Sequence, residues 1–215
     1  MIKEYEKIEG LFARDEGTKK LKEGEFRNPT IEFLKDISWD FTEKIDGTNI
    51  RIYWDGHKVS YYGRTDKEAI HSQLMNKIIE LFGGEVNEEM FEQKFGSNPV
   101  ILIGEGYGNK IQACGKDYRD DNSFILFDVW IRGKYLSREN VNSIAKSFGI
   151  EAVPVLFKGT LEDGIEFVKS KPYSTIGVAK MEGLVARPSM ELLDENGNRL
   201  IVKIKVRDFE EVKNG

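Results

Sequence analysis

A lysine that comes just before a sharp turn is the first residue in this sequence that could do covalent chemistry. Lys44 lies in the stretch EKIDGTNI, which runs from Glu43 to Ile50. A lysine amine attacks a carbonyl or a phosphorus centre only when it is neutral, and neutrality requires burial or nearby cations that lower its pKa. The alternative is an ordinary exposed lysine at the end of a strand, which is the commoner situation for any single lysine.

Two lysines near the end of the sequence could supply those cations. Lys203 and Lys205 are two residues apart in RLIVKIKV, so the alternation of a strand places both side chains on one face. Ile204 and Val206 would then lie on the other face. Together the two lysines could bind phosphate and raise the free-energy cost of protonating Lys44. A solvated sheet face has the same pattern, so the alternation alone does not decide between the two interpretations.

Two glutamates beside apolar strands could assist chemistry on a phosphate. Glu105 follows VILIG and Glu182 precedes GLVARP, so each is predicted at a strand end next to a glycine. Their carboxylates could contact a ribose or a divalent metal, since hard oxygen ligands suit Mg²⁺ beside phosphates. Phe127, in FILFDVW, could stack on a purine. Ordinary turn chemistry for the glutamates and a core position for the phenylalanine are the alternatives.

Periodicity in the sequence predicts the elements that position these side chains. Strands are predicted over DFTEK, NIRIYW, KVSYYG, PVILI, SFILFDVWI, EGLVARP and RLIVKIKV, with a glycine-rich loop, GEGYG, after PVILI. Helices are predicted over DKEAIHSQLMNKIIELFGG, where Gly83 ends the helix, over SRENVNSIAKSFGI, where Ser137 caps it, and over LEDGIEFVKS. Hairpins interrupted by helices favour an α+β fold of antiparallel sheets flanked by helices. No linker marks a boundary, so residues 1–215 are predicted to form one domain.

Composition limits the classes of function that are open to the chain. The formal net charge is −5, which argues against a protein that coats nucleic acid by bulk charge but leaves room for a local basic site. No apolar run has the length needed to cross a bilayer, and the N-terminus is too polar for a signal peptide. The single cysteine, Cys114, cannot form an internal disulfide. We therefore expect a cytoplasmic protein without a membrane partner.

The order of these motifs along the chain resembles that of the covalent nucleotidyltransferases, which include ATP-dependent DNA and RNA ligases and mRNA capping enzymes. The sequence has Lys-x-Asp-Gly-x-Asn from Lys44, then YGRT, GEGYGNKIQ, SFILFDVW, KMEGLVARP and LIVKIKV. The tail GYGxKIQ after Glu105, together with Asn49, resembles the RNA ligase 2 family, the phage double-strand RNA ligase type. The resemblance runs from about Trp39 to Asp208.

The resemblance implies how a nucleotide would be held. Lys44 would be the nucleophile that takes AMP from ATP as a phosphoramidate. Glu43 would lie beside the adenine, Phe127 would stack on it, and Glu105 would hold the ribose. Glu182 would serve the phosphate region, and both Glu105 and Glu182 would be ligands of Mg²⁺ or Mn²⁺.

The resemblance also implies which residues act on phosphates and RNA. Lys203 and Lys205 would contact the α-phosphate, and Asn49 would assist the later steps near the phosphates. Arg64 would contact the phosphates of the nucleotide or the 5′ end of the RNA. Lys110, in the loop that follows Glu105, would face the RNA.

The implied reaction has three steps and joins an RNA 5′-phosphate to an RNA 3′-hydroxyl. The lysine attacks the α-phosphate of ATP and pyrophosphate leaves. AMP then moves to the 5′-phosphate, and the 3′-hydroxyl finally displaces AMP. Positioning and charge neutralisation supply most of the catalysis in transfers of this type, with magnesium sharing the load.

The sequence ends ten residues after Lys205, where larger members of the family have a further domain. We therefore expect an adenylation domain without a C-terminal OB or helical domain. A partner protein could supply the RNA contacts that such a domain would otherwise make. An ATP-dependent DNA ligase and a GTP-using capping enzyme are the nearest alternatives, although both normally carry an OB-fold domain there. A non-catalytic nucleotide- or RNA-binding module is the other alternative. Such a module would be expected to have lost the nucleophile or an acidic partner, yet Lys44, Glu105 and Glu182 are all present.

Overall fold

Thirteen strands and seven helices are found in residues 2–210, the part of the chain that the computed structural model describes. In chain order they are β1 (Glu9–Gly10), β2 (Phe12–Arg14), β3 (Leu21–Phe26), α1 (Pro29–Phe33), β4 (Trp39–Lys44), β5 (Thr48–Trp54), β6 (Val59–Tyr62), α2 (Ser72–Phe82), α3 (Glu85–Phe95), β7 (Val100–Gly108), α4 (Gly115–Tyr118), β8 (Asn122–Ile131), β9 (Lys134–Tyr135), α5 (Arg138–Ser147), β10 (Glu151–Ala152), β11 (Val155–Gly159), α6 (Leu161–Lys169), β12 (Gly183–Pro188), β13 (Val202–Lys205) and α7 (Val206–Glu210). None of these helices is long and apolar enough to cross a membrane.

These elements form two compact units. The chain passes from one unit to the other after residues 6, 45 and 153. Unit 1 contains residues 2–6 and 46–153, and unit 2 contains residues 7–45 and 154–210. The sequence carries no mark of this division, since each unit joins segments that are distant along the chain. The α+β class with mostly antiparallel sheets is confirmed.

Unit 1 is built on a sheet with the strand order β10-β8-β7-β5-β6, in which β9 also pairs with β8. Alternate residues of β5, such as Ile50 and Ile52, are fully buried in an apolar core. The helix α2 covers this core with Leu74, Ile78 and Phe82, whose spacing places them on one helical face.

Unit 2 is built on a sheet with the strand order β1-β13-β12-β4-β11, beside the β2–β3 hairpin. The central pairs β4–β12 and β12–β13 are antiparallel, whereas β1 runs parallel to β13. The core lies between one sheet face and α6, where Phe41 of β4 packs so closely that a Cβ on Gly164 would meet the Phe41 ring at 2.3 Å. The opposite face carries the lysines of the candidate site.

Two boundaries differ clearly from the sequence predictions. The helix α2 begins at Ser72, although the helical pattern was predicted from residue 66. The segment GEGYG is part of β7 and not a loop, because its glycines allow close packing against neighbouring residues. The β7–β8 pairing has an irregularity between Ile103 and Gly104. Glu105 therefore lies inside a strand, and its predicted position at a strand end is wrong. The remaining predicted strands are confirmed within a few residues.

Candidate active site

The nucleophile candidate Lys44 is the last residue of β4, and its register partner across β12 is Gly183. Gly183 also pairs with Lys205 of β13, so the two lysines flank a glycine in one row of the sheet. A side chain at Gly183 would be impossible there, since a Cβ would lie 2.1 Å from the backbone oxygen of Ile204 and φ is +156°. The residue before this glycine, Glu182, places its carboxylate between the two lysines.

Glu182 binds both lysines through separate oxygens. Lys44 Nζ donates to Oε2 at 2.5 Å, and Lys205 Nζ donates to Oε1 at 2.6 Å. The side chains are largely buried, with exposed fractions of 24% for Lys44, 15% for Glu182 and 14% for Lys205. Burial acts to raise the pKa of Glu182, but the two lysines act against it and hold that pKa below its ordinary value. The two lysines thus favour the ionised form of this carboxylate.

Lys203 adds a third positive charge to this face of the sheet. It lies two residues before Lys205 on the same face of β13, as predicted. The pairing of β12 with β13 places it opposite Val185. Burial is the largest cause that lowers the pKa of Lys203, and the charges of Lys205 and Lys44 lower it further. Among the described residues, Lys203 Nζ makes no ion pair. Glu9 acts weakly in the opposite direction on the pKa of Lys203, but it forms no ion pair with Lys203 in the described part of the chain. A partly buried cation without an ion-pair partner favours the binding of an anion.

Three lysines against one carboxylate leave this cluster with an excess of positive charge. A phosphate group would offset that excess and would also offer oxygen acceptors to ammonium donors. The nucleophile candidate is part of the same cluster, so a bound phosphorus centre would meet an amine at close range. The arrangement therefore suits attack of a lysine on a phosphate ester or anhydride.

Glu43 lies on the opposite side of β4 from Lys44 and is almost completely buried. Its carboxylate accepts hydrogen bonds from the hydroxyl of Ser174, from Thr175 N at 2.9 Å and from Thr175 Oγ1 at 2.6 Å. It thus fixes the segment before β12 to the end of β4. Ser174 and Thr175 were not predicted from the sequence, because nothing local links them to a glutamate more than 130 residues earlier. The role of Glu43 beside an adenine stays a prediction.

In unit 1, Asn49 and Glu105 are register partners on β5 and β7. The chain turns tightly just before them, since a Cβ on Gly47 would lie 2.3 Å from Gly106 O and 2.8 Å from Glu105 Cγ. The predicted need for a glycine at this turn therefore has a direct steric cause. Asn49 Oδ1 is buried and has no hydrogen-bond partner among the described residues. Such an atom is available to a donor from a ligand.

The turn at Asp46 and Gly47 is held by the segment that follows β7. Gln112 Nε2 donates to Gly47 O at 2.9 Å, and Tyr118 Oη accepts from Asp46 N at 3.3 Å. Cys114 Sγ donates to Asp46 Oδ2 at 3.2 Å. Burial, followed by this contact with Asp46, raises the pKa of Cys114 to about 11, so the thiol is neutral at physiological pH. Cys114 thus supports the turn and is not a nucleophile.

The remaining predicted residues of unit 1 occupy three places. Phe127 is partly buried, and its ring lies 5.1 Å from that of Tyr5, which sequence analysis missed. Arg64 is exposed just after β6. Lys110 follows β7 and has a positive φ of 66°, which places it at a sharp turn of the loop.

The carboxylates fit a metal only in part. Glu105 and Glu182 belong to different units, and the described residues contain no group of three His, Cys, Asp or Glu side chains that could hold a metal ion. Carboxylate oxygens are suitable ligands for Mg²⁺ or Mn²⁺, but most ligands of such an ion would come from phosphate and water. A metal at this site would therefore bind together with a nucleotide.

A family model described as RNA ligase matches residues 37–205, which include every candidate residue from Glu43 to Lys205. The chain belongs to the RNA ligase family. The match begins just before β4 and ends on the second lysine of the cluster. Comparison with curated protein sequences gives no match.

Solved structures of the Naegleria gruberi RNA ligase have the same fold as this RNA ligase family member. A variant with ATP and Mn has a TM-score of 0.64 at 20% identity and covers 86% of this chain and 54% of its own. Another variant with ATP and Mn has a TM-score of 0.68 at 18% identity and covers 99% and 58%. The form with PPi has a TM-score of 0.62 at 22% identity and covers 87% and 55%. The chain thus spans little more than half the length of these relatives.

Proposed function

We propose that the protein is an ATP-dependent RNA ligase that forms a covalent lysyl-AMP intermediate on Lys44. The observation that carries this proposal is the cluster formed by Lys44, Glu182 and Lys205, in which a nucleophile and a phosphate-binding cation share one carboxylate. Family membership supports the reaction class, and structures of the Naegleria gruberi RNA ligase have been solved with ATP and Mn, with AMP and Mn, and with PPi.

In the first step Lys44 releases a proton to solvent, and its neutral nitrogen attacks the α-phosphorus of ATP. An N–P bond forms, the bond to the β-phosphate oxygen breaks, and pyrophosphate leaves. Lys203 and Lys205 neutralise the negative charge that develops on the α-phosphate oxygens. When bound, Mg²⁺ or Mn²⁺ would be held in part by carboxylates such as Glu182 and would neutralise phosphate charge.

In the later steps AMP is transferred to an RNA 5′-phosphate, and an RNA 3′-hydroxyl then displaces it. Arg64 and Lys110 are our candidates for contacts with RNA, and Asn49 for contact with a phosphate. For the nucleotide we keep Phe127 as a stacking partner of adenine and Glu105 as a ribose contact and metal ligand. We further propose that residues 1–215 act as one nucleotidyltransferase domain in the cytoplasm.

Sealing of a nicked duplex tests this function. The purified protein would be incubated with ATP, Mg²⁺ and a duplex whose nick has a 5′-phosphate and a 3′-hydroxyl, with the broken strand made of RNA or of DNA. We expect sealing of the RNA nick and loss of sealing in Lys44→Ala. Sealing confined to DNA would identify a DNA ligase, and a requirement for GTP would favour a capping enzyme. Normal self-adenylylation with weak sealing would point to a partner protein that contributes RNA contacts.

A further inference from the structure

Arg51 is a fully buried cation on the central strand β5 of unit 1, and the proposed mechanism gives it no role. Its side chain has an exposed fraction of 0%. Nε donates to Gly63 O at 2.8 Å, Nη1 donates to Lys3 O at 3.0 Å, and Nη2 donates to Asp66 Oδ1 at 2.8 Å. The guanidinium also lies 5.6 Å from the centre of the Tyr62 ring. A buried charge with this many partners holds those partners in place.

Two of these partners bracket Arg64, which the mechanism uses. Gly63 immediately precedes Arg64, and Asp66 follows two residues later. The same turn is closed by Glu68, whose Oε2 accepts from Arg64 N at 3.1 Å. The turn is tight as well, since a Cβ on Gly63 would lie 2.9 Å from Glu68 Cβ. The backbone of the turn is therefore fixed on both sides of Arg64, while the side chain of Arg64 is exposed.

The contact geometry requires an arginine. The guanidinium is a rigid planar fork whose nitrogens reach three acceptors in different directions at once. A lysine has one terminal nitrogen on a flexible stem, and it could not bind Gly63 O, Lys3 O and Asp66 together. A cation with a purely structural role has no need to contact this turn. Arg51 binds the turn on both sides of Arg64, whose side chain is exposed.

We propose that Arg51 is a positioning residue that fixes the turn from Gly63 to Asp66 and thereby aims Arg64 at a phosphate of the substrate. The inference rests on the proposed function, because it gives Arg64 a phosphate to contact. It concerns unit 1 alone and does not depend on the lysine cluster of unit 2.

A double-mutant cycle tests the proposal. Self-adenylylation and RNA nick sealing would be timed separately for wild type, Arg64→Ala, Arg51→Lys and the double variant. We expect Arg51→Lys to slow the step that Arg64→Ala slows, by about 10- to 100-fold, because a small misplacement of a contact residue has effects of this size. In the Arg64→Ala background Arg51→Lys should change that step by less than about twofold.

A second variant keeps the test valid if Arg51→Lys folds poorly. Asp66→Asn removes only the charge that holds one end of the guanidinium, and Asp66 is 36% exposed. It should slow the same step, and its effect should also vanish in the Arg64→Ala background. Arg132→Met is the matched control, since Arg132 is an exposed arginine of unit 1 that donates to Asn98.

The outcomes separate this inference from the proposed function. Absence of any lysyl-AMP in wild type would contradict the proposed function itself. An active wild type in which Arg51→Lys and Arg64→Ala act additively would overturn the inference alone, because loss of stability would then explain Arg51. An active wild type that Arg64→Ala does not slow in either step would overturn it too, since there would be nothing to position.

Discussion

Lys44 and Glu182 are 138 residues apart in the sequence, yet Lys44 Nζ lies 2.5 Å from Glu182 Oε2. Antiparallel pairing of β4 with β12 produces this contact, because it places Gly183 directly opposite Lys44. Lys205 binds the other oxygen of the same carboxylate. Backbone pairing thus sets the nucleophile candidate and the second lysine in one row of the sheet. Removing each part of this arrangement should have a measurable effect.

Glu182→Gln should lower the free energy of unfolding at pH 7 by about 2 kcal/mol, because it leaves two largely buried lysines without their counter-charge. The pKa of Glu182 lies below its ordinary value of 4.5, so its stabilising effect is complete above that pH. The effect disappears as the pH falls through the lowered pKa. Urea unfolding of both proteins between pH 3 and pH 7 checks this, and a constant difference across that range would refute the role of the charge.

Lys203→Met should stabilise the protein and impair its activity. The pKa of Lys203 is lowered by burial and by neighbouring lysines, so protonated Lys203 weakens the fold at neutral pH. After allowance for solvent screening, we expect the free energy of unfolding to rise by less than about 1 kcal/mol. Self-adenylylation should slow by about 10- to 100-fold, because a donor to the phosphate is lost. Thermal unfolding and adduct formation would be measured beside Lys22→Met, an exposed lysine on β3 that should change neither.

Gly47→Ala should abolish self-adenylylation. A Cβ there would overlap Gly106 O, which is backbone and cannot move aside cheaply, so the turn after Lys44 would have to shift. Gly10→Ala is the matched control, since the nearest atom to its Cβ would be 3.9 Å away. Activity is measured as AMP incorporated per protein. Equal activity of the two variants would show that self-adenylylation does not require the close approach of Gly47 to Gly106.

Thr175→Val should destabilise the protein by about 1–3 kcal/mol, because it removes one of the donors that satisfy the buried carboxylate of Glu43. Thr175→Ser retains the hydroxyl and should lose much less. Denaturant unfolding of the two variants measures the difference. If valine and serine were equally harmful, packing of the methyl group and not the hydrogen bond would be responsible.

The local part of the site could be predicted from the sequence, but its long-range contacts could not. Alternation alone put Lys203 and Lys205 on one face, and the strand β13 confirms it. The partnership of Glu182 with both lysines depends on which strands pair, and no local pattern in the sequence specifies that. Ser174 and Thr175 were missed for the same reason, since their partner Glu43 lies on a distant strand.

Among the elements that were mispredicted or missed, two show the effect of sequences that depart from simple periodicity. GEGYG was predicted as a loop from its glycines, but in β7 those glycines make room for neighbours, and a Cβ on Gly106 would meet Leu74 at 2.4 Å. The helix α3 was missed because EVNEEMFEQKF is mostly polar, although Phe91 and Phe95 at i and i+4 join the core. No local sequence pattern marks the points at which the chain passes between the two units.

The most direct test of the account is the intact mass of the denatured protein after incubation with ATP and Mg²⁺. We predict that wild type gains the mass of one AMP and that Lys44→Ala gains none, because the adduct is a phosphoramidate on that lysine. A wild type that is purified free of AMP and still forms no adduct would contradict the central claim. An adduct of equal yield on Lys44→Ala would contradict it as well, by placing the nucleophile elsewhere.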